Sequence, residues 1–311
     1  MTIEKASVRV VHKPWGVRDL EPWINVDVGD DAVGELWFER ADKRAPIPAL
    51  LFKLLFTSEP LSIQVHPGDT FARAMGMPNG KSEAWYVISA RPGAQIGVGL
   101  TRRATPQELR ASIRNGSIVE LVQWRPVATD DVIFIPAGTI HAIGAGIVLA
   151  EIQQRSDTTF RLFDYGRQRE LHEDHGVAVA DTWPLRSPHN PTRLTDGRTL
   201  LVASRHFVLE RFDLPKGSSW ALLAEPETWI LVLDGHAAIG LTAVSIGQAA
   251  FVGGGRTSVE VGINGLTALV AYPAAAPIGS LLQRLGEPSG NPVAQAASAI
   301  PRLTGLARAR T

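Results

Sequence analysis

Short strand-like runs separated by turn residues recur along this chain, and they constrain its fold more than any other feature. Each run is either wholly apolar or alternates apolar with polar residues. The clearest runs in the first half are Ser7–Val11, Gly34–Glu39, Leu61–Val65, Ala84–Ser89, Val132–Ile135 and Ile147–Ile152. This spacing favours a sandwich or barrel over alternating β-α units. The chain is therefore predicted to be mainly β.

A few short helices are expected beside the strands. Thr105-Pro106-Gln107-Glu108 is a capping box with proline at the first helical position, and Gly116 marks the end of that helix. A second helical stretch is predicted over Ile118–Trp124. The apolar run Leu50–Phe56 fits either a strand or a buried helix, and its periodicity leaves both open.

The length of 311 residues predicts two domains. Pro184–Pro191, rich in Pro, Ser, His and Asn, is interpreted as the linker, and a second β-rich segment follows over Leu200–Tyr272. The run Val261–Gln283 carries no charge but contains prolines and glycines. It is interpreted as a strand, a turn and the start of a helix, not as a membrane span. One further helix is expected over Pro292–Ile300.

The composition narrows the classes of partner and metal site. Lys plus Arg and Asp plus Glu balance at 31 each, so no global field favours nucleic acid or an anionic membrane. A small molecule or another protein is the expected partner, and the chain is expected to be a monomer or homodimer. Because there is no cysteine, a metal would have to bind His, Glu, Asp or Gln. The N-terminus has no apolar signal-peptide core, so the cytoplasm is the expected compartment.

Three β segments present residues suited to a divalent metal. Gln64 and His66 are two apart in a strand-like run, so their side chains point to the same face. Glu83 begins another run, and a Pro-Ala-Gly turn precedes His141. One Gln, two His and one Glu form a nitrogen-and-oxygen site that leaves a position open for water or a sugar oxygen. Isolated histidines such as His12, His172 and His236 are interpreted as ordinary polar residues.

These segments also carry a family resemblance. Pro136-x-Gly138-x-x-His141 resembles the second cupin motif. Together with Leu61-Ser-Ile-Gln-Val-His-Pro67 and Gly80-Lys-Ser-Glu83, it resembles type I mannose-6-phosphate isomerases, most closely their shorter bacterial branch. The match spans about residues 13–170 in order and adds Pro14-Trp15-Gly16, Gly34-Glu35-Leu36-Trp37, Leu51-Phe52-Lys53 and Ser156-Asp157-Thr-Thr-Phe-Arg161.

The resemblance implies two cupin (jelly-roll) β-barrel domains with a few short helices. Residues 1–190 would form the metal-binding catalytic domain, with a helical insertion around 105–125. Residues 195–280 would form a metal-free cupin-like domain, and 281–311 a C-terminal tail. Two positions depart from the family pattern. Asp130 stands where the cupin motif has glycine, and aspartate tolerates left-handed turn geometry. Ile143 replaces a tyrosine of the longer members.

The resemblance also implies the chemistry and its residues. It implies one zinc ion per chain, bound by Gln64, His66, Glu83 and His141. It places four further residues at the reacting atoms: Lys81, Glu151, Asp157 and Arg161. It places Lys53, Ser62 and Arg167 on the phosphate side.

The implied reaction interconverts mannose 6-phosphate and fructose 6-phosphate through an enediol, and it needs a base, a proton shuttle and an electrophile. Burial beside a metal is expected to lower the pKa of Lys81, which would make it a proton carrier. Trp15, Trp37 and Trp85 are expected to be core residues and not sugar platforms. Two alternatives remain open. One is an isomerase of another, even unphosphorylated, sugar, and the other is a non-catalytic, metal-containing regulatory cupin that binds sugar.

Overall fold

The computed structural model describes residues 1–24, 29, 31–184 and 190–286. Strands dominate this part of the chain, so the mainly β prediction is confirmed. In chain order the strands are β1 (Thr2–Lys5), β2 (Ser7–Val17), β3 (Val33–Glu39), β4 (Leu50–Thr57), β5 (Ile63–Val65), β6 (Glu83–Ala90), β7 (Gln95–Leu100), β8 (Val122–Pro126), β9 (Val132–Ile135), β10 (His141–Ile143), β11 (Ile147–Gln154), β12 (Phe160–Phe163), β13 (Thr192–Thr195), β14 (Arg198–Ala203), β15 (Val208–Leu214), β16 (Ser219–Ala224), β17 (Thr228–Ile239), β18 (Thr242–Ser245), β19 (Ala249–Gly253), β20 (Gly255–Tyr272) and β21 (Leu282–Arg284). The helices are α1 (Asp69–Ala74), α2 (Pro106–Asn115), α3 (Ile118–Leu121) and α4 (Glu173–Val179).

These strands form three sheets with antiparallel pairing. A six-stranded sheet has the order β2-β3-β4-β11-β6-β9, and a five-stranded sheet has the order β12-β5-β10-β7-β8. The third sheet has ten strands, with β1-β19-β17-β20-β15-β14-β13 along its main path. Strand β1 comes from the N-terminus and pairs with β19. The third sheet therefore combines β1, which precedes the strands of the first two sheets in the chain, with strands that follow them.

Alternation along the strands of the six-stranded sheet separates two cores. In β4, Leu55 packs in a cluster with Trp85 and Ile96, which fills the space between the six- and five-stranded sheets. The neighbouring residues Leu54 and Phe56 point the other way and join a cluster shared with the ten-stranded sheet. Leu50–Phe56 is thus a buried strand, which decides between the two alternatives that its sequence allowed.

The ten-stranded sheet encloses a core of its own and a buried ion pair. Arg198 on β14 donates two hydrogen bonds of 2.8 Å to the carboxylate of Glu210 on β15. Tyr272 donates a 2.5 Å hydrogen bond to the same carboxylate. The Arg198 guanidinium also donates hydrogen bonds to the carbonyls of Ile278 and Gly279. The buried polar groups of the ion pair are therefore well satisfied.

The helical expectations are met only in part. Helix α2 has the predicted capping box between Thr105 and Glu108, and Gly116 ends it in the left-handed conformation. The second helix, predicted over Ile118–Trp124, is wrong beyond Leu121. From Val122 the chain is strand β8, because pairing with β7 supplies the hydrogen bonds that a continued helix would have made.

The charge-free run near the C-terminus also differs from its prediction. Its first part lies in β20 and a turn follows, but Leu282 begins strand β21 and not a helix. Strand β21 pairs with β16, which satisfies its backbone within the ten-stranded sheet. Most of the predicted linker and all of Pro292–Ile300 lie outside the described residues. In the described part of the chain, no helix is long and apolar enough to span a membrane.

Asp130 takes the left-handed geometry expected of it, with φ of 72°. Its carboxylate accepts a hydrogen bond from the Tyr86 hydroxyl and lies 3.6 Å from the Arg211 guanidinium. Tyr86 belongs to the six-stranded sheet and Arg211 to the ten-stranded sheet. An aspartate at this turn therefore supplies a link between the two sheets, which glycine could not.

Candidate active site

Strand register in the six-stranded sheet aligns polar side chains on its inner face. Glu151 on β11 lies opposite Lys53 on β4, and on its other side opposite Trp85 on β6. Glu83, two residues before Trp85, shares that face. Lys53 is in turn opposite Trp37 on β3. The inner face therefore carries a row of buried charges where a core sheet would ordinarily carry apolar side chains.

A second row stands on the five-stranded sheet, which faces the first. Gln64 on β5 is the central residue of this row, with His141 on β10 on one side and Arg161 on β12 on the other. His66 follows two residues after Gln64 and is buried. The neighbours Ile63 and Val65 point outward into the helix-covered core. The strand alternation inferred from the sequence is thus confirmed for this segment.

His66, Glu83 and His141 meet between the two sheets. The Nε2 atom of His66 lies 3.4 Å from Glu83 Oε2, and that of His141 lies 3.4 Å from Glu83 Oε1. Each histidine uses Nδ1 on a backbone carbonyl, of Thr158 at 2.9 Å and Thr139 at 2.8 Å. Because a carbonyl only accepts, Nδ1 carries the proton and Nε2 keeps its lone pair. Both lone pairs are therefore available beside the carboxylate.

Electrostatics favour the ligand forms of all three side chains. Burial and the nearby Lys81 ammonium lower the pKa of His66 to about 3. Burial also lowers the pKa of His141. Burial alone would raise the pKa of Glu83, but Lys81 and His66 outweigh it and hold that pKa well below its usual range. Neutral imidazoles and an ionised carboxylate are what a divalent metal requires.

The donor set fits a zinc-type ion. Both oxygens of Glu83 are buried without a hydrogen bond, although Lys81 Nζ lies 2.7 Å from Oε2 as an ion pair. A buried carboxylate with unsatisfied oxygens is costly unless a cation completes it. His66, Glu83 and His141 offer one ligand atom each, all within 4.8 Å of one another. Among the described residues, this is the one group of three or more His, Cys, Asp or Glu side chains that could hold a metal.

Gln64, the fourth predicted ligand, lies beside this group. Its amide nitrogen is 3.3 Å from His141 Nε2, and its amide oxygen accepts a 3.1 Å hydrogen bond from Ser62. A half-turn of the amide would exchange the two atoms and face the oxygen toward the histidines, with the nitrogen donating to Ser62. Ser62 is thus placed to orient Gln64 as well as to line the cavity.

Lys81 lies at the centre of the buried charges, and without a bound metal its pKa shifts in the direction opposite to that expected beside one. Burial lowers the pKa of Lys81, but the carboxylates of Glu151 and Glu83 outweigh burial and raise it. Lys81 Nζ is 3.2 Å from His66 Nε2 and 3.6 Å from Glu151 Oε1. The sequence showed the shared face of Lys81 and Glu83 but not the second carboxylate. Without a bound metal, the two carboxylates therefore favour the charged form of Lys81.

Glu151 has a raised pKa in this cluster. Burial and the nearby Glu83 charge raise its pKa, with Lys81 and Lys53 acting against them. Lys53 Nζ lies 3.5 Å from Glu151 Oε1, 3.5 Å from Glu35 Oε2 and 3.9 Å from Asp157 Oδ1. A raised pKa brings a carboxylate closer to the pH range in which it can both accept and release a proton.

A cavity of about 240 Å³ opens beside the buried His/Glu/His group. Seven of the predicted site residues line it: Lys53, Ser62, Gln64, Lys81, Glu151, Asp157 and Arg161. Arg167 does not; its guanidinium donates to the Asp164 carboxylate and the Pro60 carbonyl. Asp157 is at the open end, with its side chain 72% exposed. The structure thus brings the predicted residues together with the exception of Arg167.

Sequence reasoning missed several residues of the cavity wall. Glu35, Lys13 and Arg169 line it, and so does Trp15. Lys13 Nζ lies 3.4 Å from Glu35 Oε1, and Trp37 donates a 2.6 Å hydrogen bond to Glu35 Oε2. The alternation of side chains along β3 could have placed Glu35 on the same face as Trp37. No comparable signal marked Arg169, which lies in a loop.

The tryptophans divide between core and cavity. Trp85 is fully buried in the core between the sheets, as predicted. Trp15 is buried in the same core and also lines the cavity. Trp37 is mostly buried, and its ring lies 4.2 Å from Lys53 Nζ, a cation–π contact. The core interpretation therefore holds for Trp85 and is incomplete for the other two.

The chain is similar in sequence to curated proteins of bacteria. No family model matches the chain. It is 35% identical over 268 residues to a mannose-6-phosphate isomerase of Streptococcus mutans, a match that covers 73% of this chain and 83% of that protein. It is also 35% identical over 197 residues to the mannose-6-phosphate isomerase ManA of Bacillus subtilis, covering 60% of this chain and 62% of the relative.

Solved structures show the same fold. The crystal structure of the Bacillus subtilis mannose 6-phosphate isomerase superposes with a TM-score of 0.77 at 22% identity, covering 88% of this chain and all of that one. A zinc-bound mannose 6-phosphate isomerase superposes with a TM-score of 0.68 at 14% identity over the same share of each chain. The chain belongs to the mannose-6-phosphate isomerase family.

Proposed function

We propose that this protein is a zinc-dependent isomerase that interconverts mannose 6-phosphate and fructose 6-phosphate through an enediol. The observation that carries the proposal is the buried His66–Glu83–His141 group with its unsatisfied carboxylate oxygens, at the side of a polar cavity. Family membership supports the reaction, and the zinc-bound relative supports the choice of metal.

The proposal assigns one zinc ion per chain to His66, Glu83 and His141, with Gln64 as a weaker fourth ligand. When bound, zinc would supply a Lewis acid that stabilises negative charge developing on substrate oxygen. The hydrogen bonds from the two Nδ1 atoms to backbone carbonyls orient the imidazoles for this role and raise their basicity. The ligand set needs no further residue.

Glu151 is proposed to move the proton between C1 and C2, because its raised pKa lets it act as base and then as acid. Lys81 is proposed to remain charged, so that its ammonium group stabilises the negative charge on the enediolate oxygens. Arg161 lines the same cavity and cannot practically lose its proton, so it adds fixed positive charge. Asp157, at the open end, is proposed to shuttle the hydroxyl proton.

The phosphate is proposed to bind in the same cavity. Lys53 and Ser62 line the cavity, and an arginine of the loop after β12 is expected to complete the grip. Arginine binds phosphate through a planar fork and lysine through a point charge. The phosphorylated sugar is therefore favoured over a free one.

The same proposal covers domain organisation and setting. The six- and five-stranded sheets would form the metal-binding cupin domain, residues 1–190, and the ten-stranded sheet the metal-free cupin-like domain, residues 195–280. Strand β1, which pairs with β19, would then cross from the first range into the second domain. A monomer or homodimer in the cytoplasm is the expected setting.

A coupled assay with mannose 6-phosphate, glucose 6-phosphate and free mannose, each with and without chelator, tests the proposal. We expect turnover of mannose 6-phosphate that is lost in chelator and restored by zinc. Equal turnover of free mannose would favour the unphosphorylated-sugar alternative. Sugar binding without any turnover would favour the regulatory one.

A further inference from the structure

Asp164 gathers three arginines near the open end of the cavity. Its side chain is 2% exposed and accepts hydrogen bonds from Arg167 and Arg169. Arg161 Nε lies 4.0 Å from Asp164 Oδ2. Asp164 does not itself line the cavity, whereas Arg161 and Arg169 do. One buried carboxylate thus holds together a cluster that keeps a net charge of about +2.

The two arginines held most closely by Asp164 differ in how much of their guanidinium is free. Arg167 uses Nε and Nη2 on Asp164, Nη2 also on the Pro60 carbonyl, and Nη1 on Glu59. Arg169 is held through Nε and Nη2, each 2.6 Å from an Asp164 oxygen. Among the described residues, Nη1 of Arg169 has no hydrogen-bond partner, and its side chain is 30% exposed. Arg169 is therefore oriented and still able to donate.

We propose that Arg169 contacts the substrate's phosphate and that Asp164 is the positioning residue that aims it there. Arg167 then has a structural role: it links its loop to residues 59–60 and does not bind the phosphate. The inference rests on the proposed function and selects which arginine discriminates a phosphorylated sugar from a free one. Arg169 lines the same cavity as Lys81 and Glu151, and a sugar whose C1 and C2 lie at those two residues carries its phosphate four carbons away.

Removing the Asp164 charge has two opposing effects on phosphate binding. Loss of a negative charge near the anion would strengthen its attraction, but solvent at the open end screens that gain. Loss of the bidentate bond frees Arg169 to adopt other rotamers and increases the repulsion among three arginines. A fixed donor at hydrogen-bond distance matters more than a screened charge behind it, so we expect binding to weaken.

Steady-state kinetics of Arg169→Gln and Asp164→Asn on mannose 6-phosphate and on free mannose test the inference. Arg169→Gln is expected to raise KM for mannose 6-phosphate about 10- to 100-fold, the loss of a charged hydrogen bond, with KM for mannose unchanged. Asp164→Asn is expected to give the same selective rise. The double variant is expected to be no worse than Arg169→Gln alone, because both changes remove one interaction.

Glu173→Gln is the matched control, because Glu173 accepts from Arg110 and Arg114 near the same loop but away from the cavity. It is expected to leave both KM values unchanged. Arg167→Gln is expected to lower thermal stability and to affect both sugars alike. Should Asp164→Asn fail to fold, Arg169→Gln decides alone, since Arg169 is partly exposed.

The outcomes separate this inference from the proposed function. A wild-type enzyme that prefers mannose 6-phosphate, with Arg169→Gln showing that same preference, would overturn the inference and leave the function standing. Additive effects in the double variant would overturn the positioning role of Asp164. A wild-type enzyme without any preference for the phosphorylated sugar would overturn both.

Discussion

The ammonium group of Lys81 lies 2.7 Å from Glu83 Oε2, so a proposed metal ligand and a proposed active-site cation share one buried contact. Lys81 precedes strand β6 and Glu83 begins it, and both side chains are nearly inaccessible to solvent. Glu151 lies on the far side of Lys81, at 3.6 Å. Two carboxylates around one lysine keep that lysine charged.

Replacing Lys81 separates catalysis from metal binding. We expect Lys81→Met to lower kcat by about 10²–10³-fold, because the enediolate loses a fixed cation. Bound zinc is expected to persist, since both histidines and Glu83 remain. Lys43→Met, which removes an exposed lysine paired with Glu39, is the control. A near-normal kcat for Lys81→Met would remove Lys81 from the reaction.

Acid is expected to destabilise the chelated protein between about pH 7 and 5. The pKa of His66 falls from 6.5 to about 3 on folding, and that of His141 is also lowered. Below pH 6.5 the unfolded state therefore binds protons that the folded state does not, and stability is lost as pH falls. The raised pKa of Glu151 acts in the opposite sense. We expect a net loss of stability toward pH 5, to which His66 alone contributes up to about 1.4 kcal/mol per pH unit below its unfolded pKa.

Urea unfolding in chelator at pH 7, 6 and 5 measures this slope. His66→Gln removes one of the two histidines, so its loss of stability toward pH 5 is expected to be smaller than that of the wild type. A wild-type free energy of unfolding that stays constant, or rises, toward pH 5 would contradict the burial of neutral imidazoles in this cluster.

The buried ion pair of the ten-stranded sheet is expected to be a stability element. Arg198→Met leaves the Glu210 carboxylate buried without its cation, which costs about 3–5 kcal/mol of unfolding free energy. Arg193→Met removes an exposed arginine paired with Asp196 and is expected to cost about 0–1 kcal/mol. Equal losses in the two variants, measured by urea unfolding, would be incompatible with this distinction.

Histidines of the ten-stranded sheet are expected to be uninvolved in metal binding. The His236 ring lies against Gly262, where a Cβ atom would come within 2.0 Å of Nε2. His206 is half-exposed and accepts a 2.9 Å hydrogen bond from Arg205. His206→Ala and His236→Ala are each expected to keep kcat and zinc content nearly unchanged. Loss of zinc from either folded variant would reveal a second site.

Local rules predicted the parts of the site that depend on strand alternation. Gln64 and His66 share a face because they are two apart, and the turn before His141 directs that residue toward them. The capping box at Thr105 was equally readable, because its partners are three residues apart. The left-handed Asp130 followed from the tolerance of aspartate for that geometry.

Features that depend on distant pairing could not be read from the sequence. Lys53 and Glu151 are opposite one another only because β4 and β11 pair, and Glu151 lies beside Lys81 only because β11 also pairs with β6. Val122–Pro126 became a strand because β7 was available beside it. Arg167 and Arg169 look alike in sequence and both bind Asp164, and the further contacts of Arg167 with Glu59 and Pro60 distinguish them.

Zinc titration of the chelated enzyme tests metal dependence most directly. Isomerisation of mannose 6-phosphate is expected to be absent in the metal-free protein and to rise in proportion to added zinc, with a break at about one ion per chain. His141→Ala is expected to bind little zinc and to remain inactive across the titration. Full activity without zinc, or full zinc content and activity in His141→Ala, would contradict the assignment of this site.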